Sequence, residues 1–85
     1  MGNSSRPEQI AGLVALYGAC GGSIYAHQPL PLIRKKFGEP YREYAKKIIE
    51  DLVKSGYAAP HKGRNVSYAI TKAGVAKLRE LGLAP

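Results

Sequence analysis

Residues 40–71 read PYREYAKKIIEDLVKSGYAAPHKGRNVSYAIT, and the change of period inside this stretch sets the expected fold. Ala45, Ile48, Ile49, Leu52 and Val53 recur at the i, i+3, i+4, i+7, i+8 spacing of one helical face. A helix is therefore expected from near Pro40 to Ser55-Gly56. Beyond that glycine the period shortens to two: Tyr57, Ala59 and His61 alternate with Ala58 and Pro60, and Val66, Tyr68 and Ile70 alternate with Ser67 and Ala69. This reads as a β-hairpin connected by His61-Lys62-Gly63-Arg64-Asn65, in which Gly and Asn are turn formers whatever the loop touches. Pro60 has no N–H for a ladder bond, so the first strand is expected at an edge. Thr71 then caps a last helix with Val75, Leu78 and Leu81 inward, Lys72, Lys77 and Arg79 towards solvent, and Gly82 at its end.

Towards the N-terminus, Ser5 is a candidate cap with Pro7 in the first turn, and Ile10, Leu13, Val14 and Tyr17 share one face until Gly18, Gly21 and Gly22 end the helix. Leu16 falls off that face and is expected at the core, a subunit contact being the other place for it. Ser23-Ile24-Tyr25 is rich in strand formers and reads as a short edge strand before His27. Pro29 and Pro31 suit the entry to a second helix with Leu30, Ile33 and Phe37 inward, Arg34-Lys35-Lys36 outward and Gly38 at its close. The order is helix, strand, helix, helix, strand, strand, helix. The expected class is α+β, mostly α, as a single domain over 7–82 between flexible tails at 1–6 and 83–85.

Length and charge narrow the function. A chain of 85 residues must build its core from nearly every apolar face it has, so a large substrate cavity is not expected. Thirteen Lys and Arg against six Asp and Glu give a net charge of +7. Residues 1–33 are balanced, residues 34–56 carry seven cations against four anions, and residues 57–85 carry five against one. Such a field attracts nucleic acid, an acidic protein or an anionic membrane surface, and is silent on fold.

Cys20 is the one cysteine, so no intrachain disulfide and no cysteine-based zinc site is expected, and a reducing cytoplasm fits. The opening residues lack the apolar run of a secretion signal, Arg6 stands where a myristoylation pattern wants Ser or Thr, and no stretch reaches the ~18 apolar residues of a membrane span. His27 and His61 are far apart in sequence with no acidic or thiol cluster beside them, so no metal is expected. No Ser-His-Asp spacing, phosphate loop or close carboxylate pair is present, and Gly18-Ala19-Cys20-Gly21-Gly22 reads as a helix-ending cluster rather than a nucleophile turn. No catalysis and no cofactor are expected.

The succession Ile48-Ile49-Glu50-Asp51-Leu52-Val53-Lys54-Ser55-Gly56-Tyr57, then Val66-Ser67-Tyr68-Ala69-Ile70-Thr71-Lys72-Ala73-Gly74, resembles the winged-helix family of helix-turn-helix proteins, small prokaryotic and archaeal regulators among them. The likeness runs over residues 7–82. It implies a three-helix core, a β-hairpin wing and a C-terminal helix, with the second and third helices forming the helix-turn-helix. It further implies double-stranded DNA as partner, for a transcription regulator or a small chromatin-associated protein in a cytoplasmic, nucleoid-associated setting.

The positions carried over are Tyr41, Arg42, Tyr44, Lys46 and Lys47 at the start of the third helix, and His61, Lys62, Arg64 and Asn65 in the wing. Arg42 is the candidate for a base edge, because a guanidinium makes two parallel hydrogen bonds to guanine O6 and N7. Lys46, Lys47, Lys62 and Arg64 are candidates for phosphate contact, and Tyr41 and Tyr44 for hydroxyl contacts to phosphates. A solvated helix face is the plainer reading of the same cations, and a core position that of Tyr17, Tyr57 and Tyr68. A homodimer on two half-sites and a monomer both fit. The alternative function is a winged helix that serves as a protein or ribonucleoprotein interaction module.

Overall fold

A computed structural model describes residues 6–85 as an α+β arrangement of four α-helices and a three-stranded antiparallel sheet. Helix α1 spans Pro7–Ala19, strand β1 Gln28–Pro29 and helix α2 Leu30–Arg34. A 3-10 helix at Tyr41–Tyr44 leads into α3 at Ala45–Lys54, followed by β2 at Ala58–His61, β3 at Ser67–Ile70 and α4 at Lys72–Glu80. The strand order is β1-β3-β2, with Gln28 opposite Tyr68 and Ala58 opposite Ile70. The hairpin supplies the centre and one edge of the sheet, and β1 supplies the other edge.

The α3 stripe folds as its spacing predicts: Ala45, Ile48, Ile49 and Leu52 are buried. Its start differs from the expectation, because residues 41–44 wind as a tighter 3-10 turn and α-helix begins only at Ala45. At its other end Gly56 has φ +84, a left-handed conformation that a Cβ would strain. With it there, Tyr57 N–H donates to Leu52 O and Gly56 N–H to Val53 O, a Schellman closure that turns the chain into β2. The glycines after α1 and α4 close those helices in the same way.

Thr71 joins the two ends of this region. Its hydroxyl donates to Gly56 O at 2.7 Å and accepts from Gly74 N–H at 3.1 Å, while its own N–H donates to Tyr57 O. One side chain thus fixes the end of α3 and caps the start of α4. This explains the glycine three residues later, since a Cβ on Gly74 would sit 2.5 Å from the Tyr57 carbonyl oxygen.

The core gathers one face of every helix: Leu13, Leu16, Ile33, Phe37, Ile49, Leu52, Ile70 and Leu78 are its largest fully buried side chains. Burial of each such residue contributes about 1.5–3 kcal/mol. Helix α1 runs through the middle, packing on α2, α3, α4 and β3. Its buried arc is Gly12, Leu13, Ala15 and Leu16, turned by roughly 130° from the Ile10–Leu13–Val14–Tyr17 face that the periodicity predicts. Val14 is exposed and Leu16 wholly buried. The small residues decide this phase, because a Cβ on Gly12 would lie 2.5 Å from Ile48 Cγ2, and only a bare backbone lets α1 and α3 approach so closely.

Other expectations are corrected locally. Ser23–Tyr25 is a turn with Tyr25 in solvent, and the edge strand forms at Gln28–Pro29 instead, where β3 offers a pairing edge. The Ser5 cap lies outside the described residues, and the residue at the cap of α1 is Arg6, with no side-chain bond. Helix α2 ends at Arg34, four residues before Gly38, although Phe37 still reaches the core. Val66 precedes β3 and is exposed, and Leu81 is also largely exposed. Residues 83–85 do not trail away: Leu83 N–H donates to Leu78 O, Ala84 packs on the core and Arg79 Nε donates to Pro85 O. Tyr57 and Tyr68 are half-buried against the core, as their inward faces predict, and Tyr17 packs there too although the buried arc of α1 is centred elsewhere.

Candidate nucleic-acid interface

The first turn of α3 is electrostatically inverted. A helix N-terminus carries partial positive charge and favours acidic residues by ~0.3–1 kcal/mol each. Here Lys46 and Lys47 occupy it with no acidic residue and no side-chain cap, and the nearest anion in sequence is Glu43 in the preceding 3-10 turn, whose Arg42 O accepts from Ala45 N–H. Both lysines are exposed, and neither forms an ion pair among the described residues. They do not stand side by side, because consecutive residues lie about 100° apart around a helix. Lys47 faces a groove of about 640 Å³ between α3, the 3-10 turn and the start of α1, with Tyr41, Tyr44 and Asp51 also on its walls. Lys46 lies on the other flank with Glu50.

Arg42 is held differently from the base-reading role expected of it. Its Nε and Nη2 both donate to Phe37 O, at 3.3 and 3.1 Å, and Nη1 lies 3.5 Å from Glu39 Oε2. Two of the five guanidinium N–H groups are thereby bonded to the turn after α2, which leaves the outer N–H groups of Nη1 and Nη2 beside Glu39. The cause is the early end of α2, which leaves the Phe37 carbonyl without a helical partner and available to a guanidinium five residues on. Any outside contact from Arg42 falls to those outer N–H groups, at an orientation set by the bonds to Phe37 O.

At the same turn lies a second cationic group that sequence reasoning left as an outward face. Arg34 Nε donates to Arg42 O at 3.3 Å, and Arg34, Lys35, Arg42 and Pro31 line one recess of about 390 Å³. The run Arg34-Lys35-Lys36 was the available signal, but its meeting with Arg42 depends on the turn between α2 and α3.

The tyrosines separate. Tyr41 is half-buried against the core, and Tyr44 is 57% exposed beside Lys47. Of the two, Tyr44 presents its ring and hydroxyl to an incoming partner.

In the hairpin Lys62, Arg64 and Asn65 all lie exposed in the connection, without an ion pair or side-chain hydrogen bond among the described residues. His61 sits at the base of the loop, opposite Ser67. The structure brings His27 to it: the rings stack with centroids 4.5 Å apart and planes 9° from parallel, and His27 Nδ1 shares a 2.6 Å hydrogen bond with Ser67 Oγ. Distant in sequence, the two histidines are neighbours in space. Imidazole lone pairs lie in the ring plane, so stacked rings aim them alongside each other rather than at one ion. The pair joins the residue before β1 to the end of β2, across β3.

Cys20 is buried with its Sγ 3.8 Å from Tyr68 O. Burial pushes the thiol pKa up, and a hydrogen bond with the Ile70 backbone opposes that in part. A protonated, covered thiol is a packing group.

No family model, curated protein or solved structure matches the chain. No helix among the described residues is long and apolar enough to cross a membrane.

Proposed function

We propose that this chain is a winged-helix domain that binds double-stranded DNA, as a transcription regulator or a small chromatin-associated protein. The observation that carries the reading is the set of cations without ion-pair partners among the described residues: Lys46 and Lys47 in the first turn of α3, and Lys62 and Arg64 at the hairpin tip. Cations placed against the helix dipole, and left without a carboxylate, cost stability that an external polyanion offsets. The element order and the β1-β3-β2 sheet agree with a helix-turn-helix followed by a wing.

In this reading the phosphate backbone supplies most of the affinity through Lys46, Lys47, Lys62 and Arg64. Sequence choice falls to the side chains at the start of α3, Tyr44 and Lys46 above all, since two N–H groups of Arg42 are held by Phe37 O and its plane is turned to the α2–α3 junction. His61, stacked on His27, acts as a strut that holds the wing at a fixed angle.

A second reading, a protein-docking module, is favoured by the groove beside α1, whose walls include exposed Tyr44 and half-buried Tyr41. Binding of labelled mixed-sequence duplex, single-stranded DNA and structured RNA at low salt separates the two. The duplex reading expects the duplex to be bound most tightly. Equal, weak retention of all three would contradict it and favour the protein partner.

A further inference from the structure

The recess at the turn after α2 has the makings of an anion site in its own right. Two guanidinium groups and one ammonium line it, and the one carboxylate at its edge is Glu39, itself 69% exposed, so the formal balance of these four side chains is +2. Like charges crowded in this way repel unless something shares them. The two arginines are not loose. Arg34 is tied through Nε to Arg42 O, which leaves its two terminal nitrogens unbonded among the described residues, and Arg42 is anchored through Nε and Nη2 to Phe37 O. Each anchor is a backbone carbonyl, so the guanidinium planes are set by the turn itself. Lys35 has no hydrogen-bond or ion-pair partner among the described residues.

We propose that Arg34, Lys35 and Arg42 form a phosphate-binding site and that, on the duplex-binding reading above, it receives one backbone phosphate. Fixed guanidinium planes suit the oxygens of a phosphate group, and a nearby ammonium adds a point charge with three donors. The anchoring bonds lower the ordering cost of binding, because the arginine side chains are immobilised beforehand. Arg42 thus serves phosphate recognition, in place of the base edge that the sequence alone assigns it.

The arginine side-chain Nε–H signals of the 15N-labelled protein provide the first arm, titrated with inorganic phosphate against chloride at matched ionic strength. The expected result is saturable movement of Arg34 and Arg42, while Arg6, Arg64 and Arg79 follow ionic strength alone. Uniform movement of all five would overturn the site. The second arm is duplex affinity over a salt series for wild type, Arg34→Gln/Lys35→Gln and the milder Lys35→Gln, whose side chain has no structural bond to lose. The slope of log K against log salt changes by about 0.9 for each phosphate neutralised, so a site that receives one phosphate is expected to lose up to about 0.9 in the double variant and a smaller part of that in the single. Duplex binding with unchanged slopes in both variants overturns this inference and leaves the duplex reading standing. Absence of duplex binding, with selective phosphate shifts intact, removes the duplex reading and retains the anion site.

Discussion

Thr71 does more than the cap its sequence position predicts. One hydroxyl bonds the Gly56 carbonyl that ends α3 and the Gly74 N–H that begins α4. Thr71→Ala removes both bonds and is expected to lower stability by about 1–2 kcal/mol, read as a fall in the urea midpoint. Thr71→Ser, which keeps the hydroxyl, is expected to recover most of it. Cys20 gives a pH-dependent counterpart. Its folded pKa is raised by burial, so the protonated form is favoured by folding. That contribution is whole below the unfolded thiol pKa of about 8.5 and is lost as pH rises towards the folded value. The difference in urea midpoint between wild type and Cys20→Ala should accordingly shrink between pH 8 and pH 10, and a constant difference would show that the thiol is not sequestered.

At the scale of elements, the junction between α2 and α3 is where local bonds and proposed function meet. Arg42→Ala removes two donors to Phe37 O and is expected to cost about 1 kcal/mol of stability in urea unfolding, whereas an arginine free to read bases would be nearly neutral. The helix stripe of α3, the hairpin and the cap of α4 were legible in the sequence because each is specified by its own period or terminus. What escaped was whatever depends on a partner element. The two-residue β1 contains a proline and has no pattern of its own; it is a strand because β3 lies beside it. The phase of α1 was set by Gly12 and Ala15, which a count of large apolar residues passes over. The Arg34–Arg42 recess and the His27–His61 stack join residues 8 and 34 positions apart across turns that no local spacing encodes.

For the molecule as a whole, the net charge of +7 falls on the last two thirds of the chain, the part that carries the turn after α2, α3 and the β-hairpin. The first third supplies the central helix and little charge. Lys46, Lys47, Lys62 and Arg64 are exposed and make no ion pair among the described residues, which is why their removal is expected to spare the fold while it abolishes binding. The candidate cations were legible from the sequence; their pairing was not, because only the folded turn shows that Arg42 is engaged and that Lys46, Lys47, Lys62 and Arg64 are not. The most direct test is the salt dependence of duplex affinity for wild type and for a variant with Lys46, Lys47, Lys62 and Arg64 all changed to Gln, with thermal unfolding of both as the check on fold. The account predicts a steep wild-type slope that falls by up to about 3.6 in the variant, about 0.9 for each phosphate no longer neutralised, with little change in melting. A variant that folds normally and binds duplex with the wild-type slope would contradict it.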